Sequence, residues 1–229
     1  MSLADQAVVR LRQLIQTGKL QPGARLPPEQ QLASDLSISR NGVREAVRAL
    51  VVARVLEIRR GEGTFVTSLE PALLLEGVGV AVDLLQGDTV LEVTEVRRLV
   101  EPVATGLAAT RISAEQLATV RGHLDAMREA ADDPELLNQH DAAFHHAVIA
   151  ATGNRTLTTL LAGIASQTLR ARVWRGLVDD NAAGRTVAEH EAIYDALAAG
   201  DAPMAKAAAL THIGTTERWL RAHLASDVQ

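Results

Sequence analysis

Two short helix patterns separated by only three residues place the strongest constraint on the fold of this chain. The first begins at Pro27-Pro28-Glu29, where proline suits a helix start because its missing N–H would have no partner there, and runs to about Leu36. Ser37-Ile38-Ser39 leaves room only for a tight turn. Ser39 is a good cap for a following helix, whose apolar face is formed by Val43, Val47 and Leu50. The spacing predicts a helix-turn-helix.

The sequence on both sides of this motif extends it. Before it, one helix face recurs at spacings of four, three and four residues, and its members are Ala4, Val8, Leu11 and Ile15. After it, Leu56 and Ile58 alternate with charged residues, and Arg60-Gly61-Glu62-Gly63 predicts a turn before extended structure resumes at Thr64-Phe65-Val66. Residues 1–68 are therefore expected to form a winged helix-turn-helix domain whose wing is this β-hairpin.

Beyond a link at Ser68 to Pro71, only helix signals recur. Capping patterns and prolines place seven helix starts near residues 71, 89, 113, 134, 155, 186 and 202, and the first helix is predicted to span Pro71 to Gln86. Aromatic residues are only 2% of the chain, whereas Ala, Leu and Val are abundant, which favours close packing of helix on helix. The expected fold is mostly α, with a seven-helix α-bundle over residues 71–229.

Composition narrows the function classes. Residues 1–68 carry ten basic and six acidic side chains, whereas the rest of the chain is strongly acidic, so the smaller domain is the one suited to a polyanion such as DNA. The chain has no cysteine, which excludes disulfides and thiolate metal sites. No leader pattern opens it and no long apolar run occurs, so we expect a cytoplasmic protein without membrane contact.

One group of residues in the helical region has the chemistry of a metal site. Asp141 and His145 are four residues apart and hence on one helix face, while His190 and His212 lie on later helices. Three imidazoles and one carboxylate suit Zn, Ni, Mn or Fe. Helix surfaces also produce such pairs by chance, so spacing alone leaves the assignment open.

The N-terminal residues resemble a known family. Leu26-Pro27-Pro28-Glu29, Ser39-Arg40, Val43-Arg44-Glu45-Ala46 and Gly61-Glu62-Gly63-Thr64-Phe65-Val66 are similar, in order and spacing, to the winged helix-turn-helix of GntR-type regulators. The resemblance implies that Arg40, Asn41, Arg44 and Gly61 contact DNA, and Arg60 is a plausible addition at the wing. Gly42 lies within the recognition helix, where glycine costs roughly 1 kcal/mol relative to alanine.

The helical region resembles the FCD-type effector domain of the FadR-like branch of these regulators, on the segments Asp141-Ala142-Ala143-Phe144-His145, Gly153-Asn154, Glu189-His190 and Thr211-His212-Ile213. The resemblance implies that Asp141, His145, His190 and His212 bind a divalent metal, zinc being the first expectation. It also implies that Arg97 helps to bind the carboxylate of a small organic acid effector.

The expected function is that of a DNA-binding transcription regulator rather than an enzyme. A homodimer would read a palindromic operator as a repressor, and the effector would release it. Two alternatives remain open at this point. His140-Asp141 resembles the ligand pair of HD-type phosphohydrolases, although those enzymes need a further upstream histidine and downstream aspartate. The other alternative is a metal-free regulator that senses an apolar, acyl-type effector.

Overall fold

The computed structural model describes residues 2–84, 89–179 and 181–224, which separate into two compact units, residues 1–77 and 78–229. Most of the chain is helical, and its one described sheet is a two-stranded hairpin. None of the described helices is both long and apolar enough to cross a lipid bilayer. The mostly α fold with an N-terminal wing is confirmed.

The first unit has the predicted order of elements. Helices α1 (Leu3–Gln16), α2 (Glu29–Leu36) and α3 (Arg40–Val52) precede strands β1 (Leu56–Arg59) and β2 (Gly63–Val66), and the short α4 (Pro71–Leu74) follows. The strands pair antiparallel, with Leu56 opposite Val66, and both side chains are buried. Leu11 of α1 and Val43 of α3 are fully buried in the same core, so the hairpin and the helices share one apolar centre.

The connection between α2 and α3 is as tight as the sequence predicts. Ser37 adopts a left-handed conformation (φ 51°), which ends α2, and the Ser39 side chain accepts a hydrogen bond from the Gly42 amide at the start of α3. Packing explains why glycine occupies position 42, which the sequence alone did not reveal. A Cβ at this position would lie 3.0 Å from Cγ2 of Ile38, so the absent side chain allows the turn to close against α3.

The second unit contains α5 (Glu76–Asp83) in part, followed by α6 (Thr89–Ala109), α7 (Ala114–Glu129), α8 (Pro134–Ala150), α9 (Arg155–Val178), α10 (Ala182–Ala198) and α11 (Ala202–Leu224). Helix α6 packs along α11 and against α9, while α8 lies against both α7 and α9. The core between them includes the fully buried Phe144, Leu124, Met127 and Leu197. In this arrangement, one face of each of α8, α9, α10 and α11 borders the same interior.

Two predicted boundaries are wrong. The leading helix expected from Pro71 to Gln86 is broken at Leu75 into α4 and α5, and residues 85–88 lie outside the described residues. Glycines at 77 and 79 lower the helix propensity of this segment. Helix α10 begins at Ala182 rather than near residue 186, because the alanines at 182 and 183 favour an extra helical turn. Thr186 is therefore inside the helix, one turn before His190.

Candidate metal centre and DNA-binding residues

The four predicted metal ligands meet inside the helical unit. Helix α8 supplies Asp141 and His145, one turn apart, while α10 supplies His190 and α11 supplies His212. One possible ligand atom from each residue lies within 4.8 Å of the others. Asp141, His190 and His212 are buried, and the His145 side chain retains 12% exposure. Three helices thus bring three nitrogens and one carboxylate to one point.

Hydrogen bonds orient two of the imidazoles toward that point. Nδ1 of His190 donates to the Thr186 carbonyl at 2.7 Å, and Nδ1 of His212 donates to Oε2 of Glu189 at 2.8 Å. Because both partners are acceptors, the ring protons belong on Nδ1, and each Nε2 presents a lone pair to the interior. Nε2 of His190 lies 2.9 Å from Oδ1 of Asp141, yet neither atom makes a hydrogen bond. Two facing lone pairs at this distance repel each other unless a cation binds them.

The imidazoles are suited to metal binding in their protonation state as well. Burial lowers the pKa of His145 to about 3 and that of His190 to about 4, and burial also holds the pKa of His212 well below its usual value. All three rings are therefore neutral at physiological pH, which is the form that binds metals. The ring of Phe144 packs edge-on against His190, with the ring centroids 4.7 Å apart, and fixes its position.

Arg97 lies beside this cluster, paired with a carboxylate. Its Nε donates to Oε1 of Glu101 at 2.6 Å, and its Nη1 donates to the Thr168 hydroxyl at 2.8 Å. Oε2 of Glu101 is in turn 3.6 Å from Nδ1 of His145. Burial opposes the charge on Glu101, but the surrounding cations, Arg97 foremost, outweigh it and lower its pKa. The Arg97–Glu101 pair of α6 thus contacts the metal cluster at His145.

Sequence reasoning missed two buried arginines of α9. Arg172 contacts Oδ2 of Asp141, and Nη1 of Arg175 donates to the Thr216 hydroxyl at 3.2 Å. Leu161, Thr168, Arg172 and Arg175 are spaced seven, four and three residues apart, and all four are buried. This periodicity was visible in the sequence, since two arginines continue the apolar face of a helix. Glu189 was also missed as the partner of His212.

The predicted DNA-contacting residues lie on two exposed parts of the first unit. Arg40 and Asn41 are exposed in the first turn of α3, and Arg44 follows one turn later, half-exposed. Nε of Arg44 donates to Oε2 of Glu29 at 3.2 Å, and the same oxygen lies 4.0 Å from Nε of Arg40. At the wing, Arg60 and Gly61 are exposed, and Gly61 has a φ of 77°, as a tight hairpin turn requires.

Two family models match this chain in the same order as its two units. Residues 3–66 match the bacterial regulatory proteins of the gntR family, and residues 92–215 match the FCD domain. The chain belongs to the GntR family. This GntR-family chain is 33% identical over 223 residues to the galactonate operon transcriptional repressor of Escherichia coli K12, covering 95% of the chain and 96% of the relative.

Two further comparisons agree. The GntR-family chain is 33% identical over 221 residues to the HTH-type transcriptional regulator LutR of Bacillus subtilis, covering 94% of the chain and 100% of LutR. A solved structure described as Streptococcus agalactiae GntR superposes with a TM-score of 0.67 at 29% identity, covering 94% of this chain and 99% of that one. The chain is therefore a transcription regulator with a DNA-binding winged helix and an FCD effector domain.

These findings reject the hydrolase alternative, because the relatives and the structural neighbour are regulators rather than enzymes. The geometry gives the physical reason. The ring of His140 faces away from the cluster toward His123, with the ring centroids 6.3 Å apart, so His140 and Asp141 do not act as a ligand pair. The predictions of the family and of a non-enzymatic function are confirmed.

Proposed function

We propose that this GntR-family regulator is an operator-binding repressor that is released when a small carboxylate effector binds at a divalent metal in its helical domain. Residues 1–68 bind DNA, and residues 71–229 bind the effector and dimerise. The observation that carries the proposal is the convergence of Asp141, His145, His190 and His212 on one buried point, where the facing atoms of Asp141 and His190 lack hydrogen bonds.

The ligand set fits a first-row transition metal. Three neutral imidazoles and one carboxylate match the preferences of Zn, Ni, Mn and Fe, and zinc is our first choice since it accepts these ligands and can expand from four to five ligands when a further oxygen binds. When bound, the metal would supply a Lewis-acidic centre for an anionic oxygen of the effector. Thr186 and Glu189 would hold the rings of His190 and His212 in the binding orientation.

Arg97 has a part in this proposal as the buried cation on the α6 side of the cluster. Its Nη1 bonds to a neutral hydroxyl, that of Thr168, which is a weaker partner than a carboxylate. We infer that an effector carboxylate replaces Thr168 at this nitrogen, while Glu101 keeps the rest of the guanidinium in place. The name of the galactonate operon repressor supports an effector of this class, because galactonate is a hydroxycarboxylate.

DNA binding is proposed to use two copies of the winged helix. Arg40, Asn41 and Arg44 in the first turns of α3 would enter the major groove of each half-site, and Arg60 and Gly61 at the wing would approach the minor groove. A homodimer of this kind fits a palindromic operator. We infer a cytoplasmic location, because bacterial regulators of this family act on chromosomal DNA, which lies in the cytoplasm.

Elemental analysis of untagged full-length protein tests the metal assignment directly. We expect about one transition-metal ion per subunit, and its loss in His190→Ala and His212→Ala variants that keep the helical circular dichroism of the parent. Titration of the metal-free protein with Co²⁺ gives a second readout, because tetrahedral Co²⁺ absorbs strongly in the visible. Absence of metal after incubation with Zn, Ni or Mn would overturn the metal assignment and leave DNA binding untouched.

DNA release is the second part of the test. Operator sequences are first selected from random DNA with the metal-loaded protein, and their affinity is measured by fluorescence anisotropy with and without hydroxycarboxylates. We expect a palindromic consensus and weaker binding in the presence of the effector. Tighter binding on addition of the effector would mean that the effector promotes operator binding, as a co-repressor or an activating ligand does. This result would contradict the proposed release of DNA by the effector.

One observation favours a second candidate, a regulator that senses an apolar effector without metal. A cavity of about 300 Å³ adjoins His145, and most of its walls are apolar, formed by Ala142, Ile149, Leu161, Ala162 and Ala165. An acyl chain would fit such walls better than a sugar acid. Chelation separates the two candidates, because removal of the metal would leave the affinity for an acyl effector unchanged and would abolish carboxylate binding.

A further inference from the structure

Helix α9 presents two buried arginines whose hydrogen-bonding capacity is largely unused. Arg172 and Arg175 are only 6% and 4% exposed and lie one turn apart on one face. Nη1 of Arg172 contacts the Asp141 carboxylate and its Nε donates to the Thr168 carbonyl at 3.3 Å, whereas Nη2 of Arg172 and both Nε and Nη2 of Arg175 make no hydrogen bond. Guanidinium groups do not lose their charge in proteins, so buried N–H groups of this kind call for an anionic partner.

These two arginines line a small chamber that reaches the metal cluster. Asp141 and His212 form the wall shared with the cluster, and Asn138 and Thr216 add polar groups. The chamber has a volume of about 30 Å³, which is room for a group the size of a carboxylate. A planar carboxylate is also the shape that the two parallel N–H bonds of a guanidinium fit.

The balance of buried charge around the cluster changes when a metal binds. Without metal, the cations Arg97, Arg172 and Arg175 lie near four carboxylates, those of Glu101, Asp141, Glu189 and the partly exposed Asp179, so the set carries one net negative charge. A divalent ion would change this to one net positive charge. Since uncompensated buried charge is unfavourable, the metal-loaded site gains affinity for anions that the metal-free site lacks.

We propose that Arg172 and Arg175 complete, together with Arg97, the subsite that binds the effector's carboxylate, and that metal binding makes Arg172 available to it; Arg97 and Arg172 both donate to Thr168. The proposal rests on the proposed function. Arg172 contacts the same carboxylate, Asp141, that the metal would engage. A metal bound to Asp141 would compete with Arg172 for the negative charge of this carboxylate. The Arg172 guanidinium would then be available to bind the effector's carboxylate. Arg175 donates from Nη1 to the neutral Thr216 hydroxyl, and its Nε lies 3.7 Å from Oδ2 of Asp179, so its remaining N–H groups supply the second set of donors.

The chain contains an intrinsic fluorescent probe close to this subsite. Its two tryptophans, Trp174 and Trp219, contact each other with ring centroids 4.9 Å apart, and the guanidinium of Arg175 lies 6.0 Å from the Trp219 ring. An anion that engages Arg175 changes the electric field at this ring. Tryptophan fluorescence therefore reads binding at the subsite without reference to DNA release.

The test compares carboxylate binding by the full-length protein before and after metal loading. The probes are lactate and galactonate, with galactose as an uncharged analogue of galactonate, and affinity is measured by calorimetry and tryptophan fluorescence. The variants are Arg175→Gln, Arg175→Lys and Arg172→Lys, and the control is Arg218→Gln on the exposed face of α11. Metal content is measured for each protein before any probe is added, and full loading also certifies that the variant is folded.

We expect the metal-loaded parent to bind at least one carboxylate probe, with no binding of galactose and none by the metal-free protein. Arg175→Gln should weaken binding at least about 30-fold, because it removes one partner of a buried charge pair. The two lysine variants should weaken it less, since they keep the charge and lose the planar fork. Arg218→Gln should bind as the parent does.

Equal affinity of the parent and the Arg175→Gln variant would overturn the proposal, as would a metal-loaded parent that binds neither carboxylate. Equal carboxylate affinity with and without metal would overturn the part assigned to metal binding. Failure of the parent to take up any metal is a different result, visible at the first step, and overturns the proposed function on which the subsite rests.

Discussion

Nδ1 of His212 donates a hydrogen bond to Oε2 of Glu189 at 2.8 Å, and this bond joins α11 to α10 at the candidate metal centre. It fixes the tautomer and ring orientation of His212. We predict that Glu189→Ala weakens Zn²⁺ affinity about 10- to 100-fold, the usual effect of losing such a partner. Competition with a chromophoric chelator measures the change.

The matched control for this prediction is Glu191→Ala, two residues along the same helix. Glu191 pairs with Arg128 and Arg121 of α7 rather than with a candidate ligand, so its loss should leave the metal affinity unchanged. Equal affinities of the Glu189→Ala variant and the parent would mean that the helices, and not this bond, orient His212.

Arg40→Ala and Arg44→Ala should weaken operator binding and reduce its dependence on salt. If each side chain binds a phosphate, the slope of log affinity against log salt should fall by about 1 for every phosphate that a subunit no longer binds. Anisotropy titrations between about 50 and 200 mM salt measure the slope. Lys206→Ala, which removes the same charge at an exposed position of α11, should leave it unchanged. A fall in affinity at an unchanged slope would assign these arginines to base recognition instead.

Gly42→Ala should fail to stabilise the recognition helix. Helix propensity alone favours alanine by about 0.8–1.0 kcal/mol, but the added Cβ would lie 3.0 Å from Ile38 and 3.2 Å from the Ser39 hydroxyl. Gly122→Ala on α7 is the control, because a Cβ there meets no atom within 4 Å. Urea unfolding should find the Gly122 variant more stable than the parent and the Gly42 variant no more stable. Equal gains at both positions would contradict the tight packing inferred for the turn.

Metal removal should destabilise the helical domain. A ligand that binds only the folded state adds about 2.7 kcal/mol of stability at a concentration 100 times its Kd. Thermal unfolding of the chelated protein should therefore occur at a lower midpoint than that of the zinc-loaded protein, and the difference should vanish in His190→Ala. An unchanged midpoint on chelation of the parent would mean that the four ligands do not hold the ion.

Local signals in the chain predict much of this architecture. The turn at Ser37-Ile38-Ser39 and the hairpin around Gly61 were both recognisable, because caps and turns depend on side chains that are close in sequence. The break at Leu75 and the early start of α10 were not. At such points several weak preferences compete, and packing between helices decides among them.

The amino-acid sequence was sufficient to predict the order of the two units, the helix-turn-helix and the identities of the four candidate metal ligands. Three features needed the folded chain: the convergence of these ligands, the hydrogen-bond partners that orient their rings, and the inward direction of Arg172 and Arg175 beside them. A helix turn relates residues three and four apart, whereas the site joins α8, α9, α10 and α11. Contacts between residues so far apart along the chain depend on how the helices pack.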